Sequence, residues 1–168
     1  MYSILPDARL IDGDISNAFK ELSLTTYHEA CEYVWHLPYG RTSDSKSWML
    51  VLKEKTGTCS SKHALLKALA DELNLNIELV VGIYAMTECN TQGVGKVLSN
   101  TKYDYIPEAH CYLRFNGIRI DLTRYSMTSK QPIEQFFVEK IISYDDIGDI
   151  KTKFHKKFID EMVGVQEA

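Results

Sequence analysis

Asn116-Gly117 sits between two runs in which apolar and polar residues alternate, Glu108 to Phe115 and Ile118 to Thr123. Asn-Gly is the dipeptide best suited to a two-residue hairpin loop, because both central residues of that turn need positive φ. With these two as the loop, Phe115 faces Ile118, Leu113 faces Ile120, Tyr112 faces Asp121 and His110 faces Thr123. Side chains alternate across a strand, so this register sorts them onto two faces. Cys111, Leu113, Phe115, Ile118, Ile120 and Leu122 form an apolar face, predicted to be more buried as a set than Arg114, Arg119 and Thr123. The opposite face carries His110, Tyr112, Arg114, Arg119, Asp121 and Thr123.

Upstream of the hairpin the pattern is helical. Thr26 with Glu29 three residues later is a capping box, and the helix from Tyr27 to His36 stops at Leu37-Pro38-Tyr39-Gly40. A second helix is predicted from about Ser45 to Lys55, with Trp48, Met49, Val51 and Leu52 on its apolar side and Gly57 just past its end. A third runs from Cys59 to about Leu73, where Ala64, Leu65, Ala68, Leu69 and Leu73 recur at the spacing of one buried stripe. Ile77 to Tyr84 is short and rich in β-branched residues, which predicts a strand. A polar loop with Gly93 and Gly95 fills roughly 87 to 106 and is the expected mobile segment. A closing helix over about 145–163 places Ile150, Phe154, Phe158 and Met162 on one side, with the basic stretch Lys151 to Lys157 read as its solvated face.

These elements predict an α+β fold, N-terminal helices packed on an antiparallel β-sheet. The 168 residues, 45% of them apolar, fit one domain over 1–168 with no linker or repeat. Nineteen Lys+Arg against 23 Asp+Glu give a net charge of −4 without a dense basic run, so nucleic acid and anionic lipid are not expected partners. No apolar run approaches the roughly 20 residues of a membrane helix, and the N-terminus lacks a secretory pattern, which points to a cytoplasmic protein. Cys31, Cys59, Cys89 and Cys111 form no CxxC pair and are expected as free thiols, with neither metal nor cofactor implied.

His110 and Asp121 are diagonal neighbours on one hairpin face, about 7–8 Å apart at the backbone and within side-chain reach. A carboxylate that accepts from one imidazole nitrogen fixes the tautomer and favours the protonated ring. Cys59 is the candidate nucleophile, since Thr56-Gly57-Thr58-Cys59 puts its sulfur in the first turn of a helix, where backbone N–H groups and the helix dipole favour a thiolate. The sulfur should lie within hydrogen-bond reach of one His110 nitrogen, the other facing Asp121. Cys111 points into the apolar face, Cys31 lies inside a helix and Cys89 in the loop, while His28, His36, His63 and His155 are read as surface or structural.

Gly57-Thr-Cys59 opening a helix, a strand ending near Gly82-Ile83-Tyr84, Ala109-His110 on a strand and Asp121-Leu-Thr123 on the next resemble the transglutaminase-like core. The resemblance covers roughly residues 27 to 125. It implies a papain-like arrangement with the Cys helix against the sheet, and Cys59, His110 and Asp121 as nucleophile, base and orienting acid. It implies amide-bond hydrolysis or acyl transfer on a peptide or protein through a thioester. The chain departs from the family in carrying Tyr112 two positions after His110, where a large aromatic is usual, and Leu122 in place of the Pro of Asp-Pro-Thr; neither change removes a triad group. Tyr39 resembles the aromatic that members place after the first helix as an oxyanion or substrate-binding donor, with Trp35 and Trp48 as alternatives. Two other readings use the same residues. One is a catalytically inactive module of this fold that binds a protein partner; the other is acyl transfer to an arylamine, against which stand the short chain and the lack of Arg-Gly-Gly before Cys59.

Overall fold

A computed structural model describes residues 1–126 and 133–167. It is a mixed α+β structure. Helices α1 (Asp14–Lys20), α2 (Tyr27–His36), α3 (Leu50–Glu54) and α4 (Cys59–Glu72) precede strand β1 (Glu78–Met86) and the short helix α5 (Val94–Leu98). Strands β2 (Ile106–Phe115), β3 (Ile118–Ile120) and β4 (Val138–Ile142) follow, and α6 (Asp149–Glu167) closes the chain. The four strands form one antiparallel sheet in the order β3-β2-β1-β4. Among the described residues no helix is long and apolar enough to cross a membrane.

The hairpin has the expected register, with Phe115 opposite Ile118 and Leu113 opposite Ile120. Asn116 and Gly117 both have positive φ, 49° and 77°, as the two-residue turn requires. The burial expected from parity holds for Cys111, Leu113, Ile120 and Leu122, all fully buried, and fails for Ile118, which is 54% exposed at the hairpin tip. Tyr112 and Thr123, assigned to the open face, are buried as well. Thr123 is held by Asp121 and Lys62, and Tyr112 lies under a second cover. Phe136 packs on Tyr84 and Tyr112, and the Arg119 guanidinium lies 4.6 Å over its ring. Gly82 makes room for this cover, since a Cβ there would meet the Phe136 ring at 2.3 Å.

The Thr26–Glu29 capping box opens α2 as its residues predict. The second helix, expected from Ser45, begins only at Leu50. Asp44 explains the delay: its side chain accepts the Lys46 N–H and its carbonyl the Ser47 N–H, a local turn that competes with helix. The helix ends at Glu54, three positions before Gly57, because its C-cap Lys55 takes a left-handed φ of 53°. Helix α4 carries more than one stripe, with eleven of its fourteen residues buried, because α1, α2 and the sheet all pack against it. The 87–106 segment is not free of structure either: it holds α5, and Glu88 accepts the N–H groups of Gly93 and Gly95.

Candidate active site

Cys59 is the first residue of α4. Thr58 is the N-cap, its hydroxyl accepting the Ser61 N–H while the Ser61 hydroxyl accepts the Thr58 N–H. The chain before the cap is tied to the turn after α2, because Gly57 N–H donates to Pro38 and Gly40 N–H donates to Gly57. That tie brings Tyr39 to the cleft lined by Cys59, His110, Asp121 and Thr123.

His110 lies in β2 opposite Gly82, and Asp121 directly follows β3. His110 Nε2 is 2.6 Å from Asp121 Oδ2, which leaves Nδ1 for the thiol. The other carboxylate oxygen accepts the Thr123 N–H at 3.0 Å and the Thr123 hydroxyl at 2.5 Å. Burial disfavours the Asp121 anion, yet the charge and hydrogen bond of His110, with help from His63 and Thr123, hold the carboxyl well below its ordinary range. The structure therefore brings Cys59, His110 and Asp121 to one cleft, with the Cys59 thiol and the His110 ring close enough for each to feel the other's charge.

Burial works against ionising Cys59, but the charges of His110 and Lys151, the His110 hydrogen bond and the Cys111 backbone N–H outweigh it, and the thiol falls to about 6. Burial likewise opposes the His110 cation, while Asp121 and Cys59 overcome it and raise the ring to about 10. Both shifts favour a thiolate–imidazolium pair over the neutral pair. The other buried thiols behave oppositely: burial alone dominates at Cys111, pushed up to about 12, and at Cys31, which is raised further still. All four cysteines are free.

Tyr39 is 45% exposed. Burial and the Cys59 charge raise its hydroxyl above the usual range, so it stays a hydrogen-bond donor. The alternatives are engaged elsewhere, Trp35 Nε1 donating to the Arg124 carbonyl and Trp48 Nε1 to Asp145.

Two residues matter more than their sequence context suggests. Lys151 is not on a solvated face: its ammonium donates to Ser60 Oγ at 2.7 Å and lines the cleft. Lys62, fully buried in α4, donates to the carbonyls of Leu37 at 2.5 Å and Thr123 at 2.9 Å, clamping the Tyr39 turn to the segment after Asp121. His63 is structural and fully buried. Its Nε2 accepts the Leu122 N–H at 2.8 Å, so Nδ1 carries the proton and donates to the Cys59 carbonyl at 2.7 Å. Burial keeps this ring neutral, with its pKa lowered to about 4. His28, His36 and His155 contact backbone carbonyls, the first two away from the site and His155, on the Pro107 carbonyl, at the edge of the same cleft. Among the described residues no group of His, Cys, Asp and Glu could hold a metal ion.

No protein-family model, curated protein or solved structure matches this chain.

Proposed function

We propose that this protein is a cysteine-dependent amide-bond hydrolase or acyl transferase with a transglutaminase-like, papain-like core, acting on a peptide or protein in the cytoplasm. Cys59 attacks the amide carbonyl as a thiolate, and His110, already protonated, gives its proton to the departing amine. The product is a thioester on Cys59. Water or a second amine then attacks that thioester, His110 takes the proton released, and the thiolate is restored. Asp121 holds His110 in the orientation and charge state both steps need. The Cys59 backbone N–H and the Tyr39 hydroxyl are the donors for the oxyanion. No metal or cofactor takes part in this scheme.

The observation that carries the reading is the placement of Cys59 in the first turn of α4, in one cleft with an imidazole that is itself bound to a carboxylate at 2.6 Å, a setting that lowers the thiol. An inert buried cysteine has a raised thiol, as Cys31 and Cys111 do. The test is alkylation by iodoacetamide at pH 6, where an ordinary thiol of pKa about 8.5 is mostly protonated, with the modified residue located by mass spectrometry. Cys59 is expected to react faster than Cys89, although Cys89 is exposed and Cys59 is only 6% exposed. Equal or slower labelling of Cys59 would leave a non-catalytic binding module as the better description.

A further inference from the structure

Lys151, whose charge helps lower the Cys59 thiol, has no assigned role once the sulfur is acylated. Lys151 stands in the first turn of α6, half-buried, and uses one of its three ammonium donors on Ser60 Oγ at 2.7 Å. Ser60 Oγ is in turn 3.8 Å from Cys59 Sγ. Among the described residues no carboxylate lies within ion-pair distance of this ammonium. Glu108 lines the same cleft and its carboxylate accepts the Ala109 N–H instead. A half-buried ammonium with no carboxylate in direct contact is only partly compensated, here by the more distant Glu108 charge. In the resting site the Cys59 thiolate balances it, but that negative charge disappears when the sulfur is acylated.

A second cation stands close by. The Arg124 guanidinium lies 3.9 Å over the Tyr39 ring, lines the same cleft, and also has no carboxylate within ion-pair distance among the described residues. Tyr39 feels the charges of Cys59, Arg124, Lys151 and, most weakly, Glu108, which gathers both cations and the thiol around one ring. Among the described residues five Lys and Arg side chains line the cleft against three carboxylates, of which Asp121 is committed to His110. The whole chain carries −4. Positive charge is thus concentrated at the cleft of a negative molecule, which is an arrangement for selecting ligand charge.

We propose that Lys151 and Arg124 form an anion subsite beside Cys59, and that the substrate carries a carboxylate next to the scissile amide. This deepens the acyl-transfer reading and rests on it. The substrate carboxylate replaces the counter-charge that Lys151 loses on acylation, and it offers Arg124 the paired oxygens that a guanidinium fork fits. Its source is either the terminal carboxylate of a peptide or an acidic side chain.

Iodoacetate and iodoacetamide differ by a carboxylate against an amide, so their rates at Cys59 separate the two claims. Iodoacetamide alone reports the reactivity of the thiolate; the ratio of the two reagents reports the subsite. In the full chain at low salt, the iodoacetate-to-iodoacetamide rate ratio at Cys59 is expected to exceed that of free N-acetylcysteine on the order of tenfold, falling as salt rises. Lys151→Met and Arg124→Gln should each bring the ratio toward that of free N-acetylcysteine. Fast iodoacetamide labelling without an iodoacetate preference would overturn the subsite and leave the nucleophile standing. Slow iodoacetamide labelling with the preference retained would do the reverse, and a ratio unchanged in both folded variants also overturns the subsite. Protection of Cys59 by N-acetylglycine identifies a terminal carboxylate, and protection by N-acetylaspartic acid α-amide an acidic side chain. Protection by neither, up to their solubility limits, overturns the substrate assignment.

Discussion

Three hydrogen bonds converge on Asp121: one joins it to His110 across the hairpin, and two come from Thr123 just beyond it in the chain. The carboxylate therefore fixes the ring and is itself fixed. Asp121→Asn should preserve this geometry while presenting the wrong partner to Nε2, and turnover should fall by roughly 10⁴-fold, the scale of the same change in a serine triad. The pH dependence should move with it. With Asp121 present, alkylation of Cys59 by iodoacetamide is expected to persist down to pH about 6; without its charge His110 loses its proton more readily, and the midpoint should climb toward that of an ordinary thiol. Stopped-flow alkylation across pH reads this directly. Stability follows the other sign. Because the folded Asp121 carboxyl is depressed below its ordinary 3.8, its contribution is present above that pH and is lost as pH falls through the lower folded value. Melting temperature measured against pH should therefore decline on acidification less steeply in Asp121→Asn. Cys59→Ala should end both turnover and rapid alkylation with the fold intact, a result checked by circular dichroism beside the activity assay.

At the scale of elements, legibility tracks how local each determinant is. The hairpin and its register follow from Asn116-Gly117 and its flanking alternation, so the approach of His110 to Asp121 could be read from twelve consecutive residues. The setting of Cys59 was equally local, since a cap lies one residue away. Helix α1 and strand β4 escaped notice because each is short, seven and five residues, and the β4 residues Val138–Lys140 are exposed rather than alternating. The cover over the second sheet face was also illegible, because Phe136 reaches Gly82 from a segment more than fifty positions later in the chain. That cover supplies a test. Gly82→Ala puts a methyl where the Phe136 ring lies, in a residue paired directly with His110. Overpacking of this kind costs about 1–3 kcal/mol, and the melting temperature should drop; Gly82→Ala combined with Phe136→Leu should recover part of the loss if the clash is the cause.

Across the whole molecule, the site depends on the last helix as much as on the first turn of α4. The Lys151–Ser60 contact spans 91 positions, a distance over which no sequence pattern carries information, and the lysine sits within a run whose composition resembles any exposed helix face. Ile150, Phe154 and Phe158 pack against the core and hold that helix in place. A chain ending at Gly148 should consequently lose stability and, under conditions where it remains folded, alkylate Cys59 more slowly at pH 6, since one of the charges lowering the thiol has gone. Unchanged melting and unchanged labelling in that truncation would detach α6 from the chemistry.

The two-residue turn at Asn116-Gly117 also divides the chain by its tolerance of length change. Between positions 110 and 121 the distance from His110 to Asp121 is set by residue count, and adding or removing one residue in either arm exchanges the faces and points one partner into the core. From 99 to 104 every residue is exposed and no such parity connects the two ends, so an added residue changes only the path of a surface excursion. Insertions and deletions should accordingly be accepted in the second stretch and rejected in the first. A library of single-residue insertions, scored for Cys59 alkylation, would map that boundary along the chain.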